Sequence, residues 1–122
     1  MIVCRLAVAL VLVGCLAACG SSPAAPLAGS VGSAAAVSIP VGARSLGANA
    51  YAPNPLTITS GTTVTWTNND TIAHTSTSDT AGVFDSGSMA AGGKFSFTPV
   101  NRGTLTYHCT FHTGMVGTIV VQ

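Results

Sequence analysis

The sequence predicts an all-β domain, a β-sandwich or barrel, on three observations. From about Ile39 to the C-terminus, apolar and polar residues alternate in short runs, which is typical of strands that bury one face. Gly, Asn, Asp and Ser residues separate these runs and mark turns. No stretch carries helical periodicity over a length that predicts a helix.

Five of these runs are predicted as strands. In the first four, apolar side chains occupy every second position, as do Leu56 and Ile58 in one run and Val64 and Trp66 in the next. The fifth run is rich in β-branched residues, which favour strands. The five predicted strands cover residues 56–59, 64–67, 95–98, 105–109 and 117–121.

The composition restricts the class of protein. The chain has 122 residues, which suffice for one small domain with additional segments. Only 6% of the residues are charged and 48% are apolar, whereas disordered chains combine high charge with low hydrophobicity. A formal net charge of +1 provides no basic surface for nucleic acid. We therefore expect a folded domain that does not bind nucleic acid.

The beginning of the chain resembles an export signal. Arg5 precedes an apolar run over residues 6–18, which is shorter than the roughly 20 residues of a membrane-spanning helix but fits a signal-peptide core. The run ends in Leu-Ala-Ala-Cys, which resembles the bacterial lipobox. We expect residues 1–18 to be a lipoprotein signal peptide and Cys19 to be lipidated, which anchors the exported protein at the outer face of the bacterial cytoplasmic membrane or in the periplasm. Two alternatives stay open: lipidation at Cys15, and a cleaved signal peptide without lipid.

The segment after the signal is rich in Ala, Ser, Gly and Pro and has no aromatic residue. Residues 19–38 are therefore predicted as a flexible tether, and residues 39–122 as the folded domain. Cys4 and Cys15 leave with the signal peptide, so Cys109 is the one cysteine of this domain. A lone thiol in an oxidising compartment is a liability unless it is buried or binds a metal.

Three metal-binding residue types follow one another near the C-terminus. Cys109, His112 and Met115 are spaced three residues apart, and their thiolate, imidazole and thioether groups suit copper. A fourth ligand must come from elsewhere, where the chain offers only His74 and His108. The period of two in a strand places His108 on the face opposite Cys109, so we expect His74 to complete the set. Two His, one Cys and a weak axial Met are the ligands of a blue-copper site.

In these residues the chain resembles the plastocyanin and amicyanin family of cupredoxins. The resemblance spans most of residues 39–122 and rests on His74, on Phe-Asp-Ser-Gly at residues 84–87 and on the Cys-x-x-His-x-x-Met motif that begins at Cys109. It implies a Greek-key β-sandwich with one type 1 copper that alternates between Cu(II) and Cu(I). It also implies that redox protein partners dock near His112.

Two positions depart from the family pattern. Phe111 stands where the family usually has Pro, so we expect its backbone N–H to be able to donate to the Cys109 sulfur. Thr75 follows His74 where the family often has Asn, which leaves open how the two ligand loops are connected.

Three alternatives use the same donors. A copper carrier or storage protein usually has several Met or His donors in open clusters, whereas this chain has three Met residues, including Met1. A copper enzyme could use His108 for a second copper, but it would need more than the three His residues present. Zinc is the third alternative, and Met is a poor ligand for it. We therefore predict a single-electron carrier that is not an enzyme, and a monomer, since no sequence feature indicates an obligate dimer.

Overall fold

A computed structural model of the protein describes residues 32–122. Its strands are β1 (Ala34–Ile39), β2 (Leu56–Ile58), β3 (Thr63–Asn68), β4 (Thr77–Ser78), β5 (Lys94–Phe97), β6 (Gly103–His108) and β7 (Val116–Val121). They form two sheets, with the order β1-β3-β5 in one and β2-β7-β6-β4 in the other. Two short 3-10 helices, Ala43–Ser45 and Gly47–Asn49, lie between β1 and β2. The predicted all-β sandwich is confirmed.

The folded domain begins earlier than predicted. β1 pairs in parallel with β3 along its whole length and buries Val37 and Ile39. Residues 34–38 therefore belong to the domain and not to the tether predicted over residues 19–38. That boundary was wrong because three successive alanines show no alternation of apolar and polar residues. The strand is instead defined by its pairing with β3, which is distant in the sequence.

The predicted signal peptide, residues 1–18, and the lipidation site Cys19 lie outside the described residues, as does the tether up to residue 31. Within residues 32–122, no helix is long and apolar enough to cross a membrane.

The core between the two sheets is built around Trp66. The centroid of its ring lies 5.4 Å from that of Phe84, 5.7 Å from that of Phe95 and 5.6 Å from that of Tyr107. Tyr107 stands opposite Gly117 in the pairing of β6 with β7, and a Cβ atom at Gly117 would overlap the tyrosine ring. Glycine at this position therefore gives Tyr107 the space to pack inward, which fixes the end of β6.

Two loops meet at one end of the sandwich. β3 ends at Asn68 and is followed by residues 69–76, which lead to β4 in the other sheet. β6 is followed by residues 109–115, which turn back into β7, and His108 pairs with Val116 at the base of this turn. The fold thus places two loops side by side although they are far apart in the sequence.

Candidate metal site

Three side chains converge on one position between these loops. Nδ1 of His74 lies 3.9 Å from Sγ of Cys109, and Nδ1 of His112 lies 3.6 Å from the same sulfur. One ligand atom from each of the three residues lies within 4.8 Å of the other two. Transition metals bind imidazole and thiolate at about 2.0–2.3 Å, so donors that share an ion lie about 3–4 Å apart. The spacing therefore fits a single ion.

Main-chain hydrogen bonds close the loop that carries two of these donors. The Cys109 N–H donates to the Met115 carbonyl at 3.1 Å, and the Met115 N–H donates to the His112 carbonyl at 3.3 Å. Gly114 has a φ of +94°, a conformation that favours glycine. Cys109 and Met115 are buried, whereas His112 is partly exposed. The three-residue spacing in the sequence thus corresponds to one compact turn.

His74 is fully buried and is held through both its main chain and its ring. Its N–H donates to the Met89 carbonyl at 3.1 Å, and its carbonyl accepts from the Met89 N–H at 2.9 Å. Nε2 of the ring lies 2.9 Å from Oδ2 of Asp70, so Nδ1 is the nitrogen that faces Cys109. The hydrogen bond with His74 is the largest cause that lowers the pKa of Asp70 to about 2. The two ring nitrogens therefore have separate partners.

Thr75 connects the two ligand loops. Its N–H donates to Sγ of Cys109 at 3.3 Å, and its Oγ1 accepts from the Thr110 N–H at 2.8 Å. Its carbonyl accepts from the hydroxyl of Tyr51 at 2.5 Å. Thr75 therefore connects the two ligand loops, although the family often has Asn at this position. Within residues 32–122 the backbone hydrogen bond to the sulfur comes from Thr75 and not from Phe111, contrary to the expectation from the sequence.

His108 lies outside the donor group, as predicted. Its side chain is 41% exposed, and Nδ1 lies 2.5 Å from Oδ1 of Asp79. Hydrogen bonds with Thr106 and, to a lesser extent, with His108 lower the pKa of Asp79. The alternation along β6 therefore separates the partly exposed His108 from the buried Cys109 that follows it.

Two residues that support the site were missed from the sequence. Asp70 binds His74, and Asn68 braces the same loop: its Nδ2 donates to the carbonyls of Ile72 and Met89 at 2.8 and 2.9 Å. Its Oδ1 accepts from the Asp70 N–H at 3.0 Å. A signal for Asp70 existed, since it is one of three acidic residues in the chain and stands four positions before His74. Asn68 carried no such signal, because Asn-Asn-Asp is typical of a turn.

The fold and the donor group define the protein as a cupredoxin. The family model of copper binding proteins of the plastocyanin/azurin family matches residues 37–122, and the chain belongs to this family. A thiolate and two imidazoles at these distances suit copper, and the cofactor of the family with this ligand group is one type 1 copper.

Solved structures of cupredoxins resemble this chain. A purple cupredoxin from Nitrosopumilus maritimus is 33% identical, with a TM-score of 0.67, over 72% of this chain and 99% of that one. A variant of amicyanin in its reduced Cu(I) form is 32% identical, with a TM-score of 0.60, over 73% of this chain and 82% of that one. A second amicyanin variant, in its reduced state, is 32% identical over the same shares, with a TM-score of 0.62. No curated protein sequence matches the chain.

Proposed function

We propose that this protein is a single-electron carrier that works outside the cytoplasm with one type 1 copper. The observation that carries the proposal is the convergence of Nδ1 of His74, Sγ of Cys109 and Nδ1 of His112 from two loops of the β-sandwich. Bound copper supplies a one-electron exchange between Cu(II) and Cu(I). Within residues 32–122 this is the one group of three potential ligands, which favours a carrier over an enzyme with several coppers.

The four proposed ligands have different roles. Cys109 is the strong thiolate ligand, and His74 and His112 are the two imidazole ligands. Met115 would be the weak fourth ligand, whose thioether would adjust the reduction potential. Its complete burial and its main-chain bonds to Cys109 and His112 support this role, because they tie it to the same turn.

The hydrogen bonds around the donors favour fast electron transfer. Thr75 connects the loop of His74 to that of Cys109, and Met89 holds the main chain of His74 in place. Partners of this kind orient metal ligands and adjust their basicity. Ligands that keep their positions in both oxidation states require little rearrangement when the electron moves.

His112 is the proposed contact for redox protein partners. It is the partly exposed member of the donor group, and Phe111 and Val116 near it are 53% and 45% exposed. No charged residue lies between Cys109 and Val116. A surface of this kind favours short-lived docking that depends weakly on salt, and we propose that the carrier works as a monomer.

The proposed location rests on the N-terminal sequence. An apolar run that ends in Leu-Ala-Ala-Cys supports export and lipidation at Cys19, followed by a tether that connects the lipid to the domain. Mass spectrometry of the N-terminal peptide from the membrane fraction tests this proposal. We expect a diacylglyceryl group in the wild type and in Cys15→Ala, and its loss in Cys19→Ala.

The electron-carrier proposal is tested by adding Cu(II) to the mature protein and measuring its visible spectrum and copper content. We expect one copper per chain, an intense red absorption that Cys109→Ser abolishes, and reversible one-electron reduction. Met115→Leu should shift the reduction potential, whereas Met89→Leu, a matched change of a buried methionine outside the ligand set, should not. Labile, colourless Cu(I) would refute the proposal in favour of a copper carrier or storage protein.

A further inference from the structure

A carboxylate is bonded to the buried ligand histidine on the side away from the other donors. Oδ2 of Asp70 lies 2.9 Å from Nε2 of His74, and Oδ1 accepts from the Thr71 N–H at 2.7 Å. Asp70 is 4% exposed and His74 is fully buried. Both carboxylate oxygens thus have partners in the ligand loop, so the side chain is fixed in place.

The His74 ring and backbone N–H donors such as that of Thr71 are the partners of the Asp70 carboxylate. Within residues 32–122 it forms no ion pair with Lys or Arg, and its one ionic partner is the His74 ring. Arg44 lines the same surface groove as Asp70 and Thr71 without pairing with the carboxylate. Because the group is also shielded from water, its field acts on the ring with little screening.

We infer that Asp70 is a positioning residue that fixes the metal-binding tautomer of His74 and, through its charge, lowers the reduction potential of the copper site. The inference rests on the proposed function. A ring that binds metal through Nδ1 carries its proton on Nε2, and Asp70 is placed to accept that proton's hydrogen bond. A carboxylate in this place makes the imidazole a stronger donor and favours the more positive Cu(II) state over Cu(I).

The chain contains a matched control for this arrangement. Asp79 also bonds a histidine ring, at Nδ1 of His108. That histidine lies outside the donor group, and the side chains of Asp79 and His108 are 46% and 41% exposed. Both pairs join a carboxylate to a histidine ring, and they differ in burial, in the ring nitrogen that is bonded and in whether the histidine is a ligand. Asp79→Asn therefore removes the same charge without touching a ligand.

The test compares the reduction potentials of copper-loaded wild type, Asp70→Asn and Asp79→Asn, read from the visible band in a redox titration. Loss of a partner of this kind typically weakens metal binding about 10–100-fold. Each tenfold loss of Cu(II) affinity relative to Cu(I) raises a one-electron potential by about 59 mV. We expect a rise in Asp70→Asn, which reaches about 59 mV for each tenfold loss that falls on Cu(II) alone, and no change in Asp79→Asn.

An unchanged or lower potential in Asp70→Asn, with one blue copper still bound, overturns the inference and leaves the electron-carrier proposal intact. A wild type without reversible one-electron chemistry instead overturns the proposed function. Asp70→Glu keeps the charge and should keep the potential closer to that of the wild type than Asp70→Asn does.

A measurement on the wild type decides the matter where the variants fail to fold. Nitrogen NMR of the reduced protein should show His74 with its proton on Nε2 and in slow exchange with water. A proton on Nδ1, or an Nε2 proton in fast exchange, contradicts the arrangement. The ring of His108, which is partly exposed, provides the comparison for exchange in the same spectrum.

Discussion

Replacing Asn68 by alanine should destabilise the protein far more than the same change at its neighbour Asn69. Asn68 is fully buried at the end of β3, and its amide makes three hydrogen bonds, two to the loop that carries His74 and one to the Met89 carbonyl. Asn69 is exposed, and its amide makes a single hydrogen bond to the hydroxyl of Ser38. The two variants remove the same atoms from adjacent positions and differ in burial.

The expected loss in the free energy of unfolding follows from the hydrogen-bond partners that Asn68→Ala leaves unpaired. The Asp70 N–H loses its acceptor in a buried environment, which costs about 1–3 kcal/mol. The Ile72 carbonyl loses a donor, which costs about 0.5–1.5 kcal/mol, while the Met89 carbonyl keeps the bond from His74. We therefore expect a loss of about 2–4 kcal/mol for Asn68→Ala, and less than about 0.5 kcal/mol for Asn69→Ala.

Urea unfolding of the copper-free protein measures both values. Trp66 is the one tryptophan of the chain and is fully buried, so its fluorescence reports unfolding of the core. With an m-value near 1 kcal/mol/M, the midpoint of Asn68→Ala should fall by about 2 M or more at unchanged m. Equal midpoints for the two variants would refute the argument that these buried bonds stabilise the ligand loop.

Two further predictions concern the core. Burial is the largest cause that raises the pKa of both tyrosines of the chain, that of Tyr107 to about 12, so both stay neutral in the folded protein while the unfolded chain ionises near pH 10. The free energy of unfolding therefore keeps its full value below pH 10 and falls by up to about 1.4 kcal/mol per pH unit for each tyrosine as the pH rises towards 12. Absorbance at 295 nm reports tyrosine ionisation, and a rise near pH 10 in the still-folded protein would contradict this prediction. Gly117→Ala should cost about 1–3 kcal/mol in urea unfolding because the new methyl group meets the Tyr107 ring, and Tyr107→Leu should recover part of that loss in a double-mutant cycle, whereas purely additive losses would count against the contact.

Much of the fold was predictable because alternation is a local property. The predicted strands at 64–67 and 105–109 match β3 and β6 to within two residues. Two strands were missed: β1, whose alanines show no alternation, and β4, which is only two residues long. Both exist because a partner strand supplies their hydrogen bonds, and that partner is distant in the sequence.

Two members of the donor group, Cys109 and His112, were also predictable, because they are close in the sequence and their chemistry can be recognised from residue type. Met115 as a further ligand stays a prediction. His74 was inferred by excluding His108, and the contact between its ring and the sulfur joins residues 35 positions apart. The hydrogen bonds that support the site were harder to predict from the sequence. The hydrogen bond to the sulfur was expected from Phe111 but comes from Thr75, whose N–H reaches Sγ only when two loops pack against each other.

The sequence by itself determined which side chains can hold copper, which strands bury one face, and that one cysteine remains in the domain. These properties depend on residue type and on spacing over a few positions. The tertiary structure alone decided that the loop after β3 meets the loop after β6, that the carboxylate of Asp70 faces the ring of His74, and that Thr75 joins the two loops. These contacts arise from the packing of two sheets, which sets distances between residues that local spacing leaves undefined.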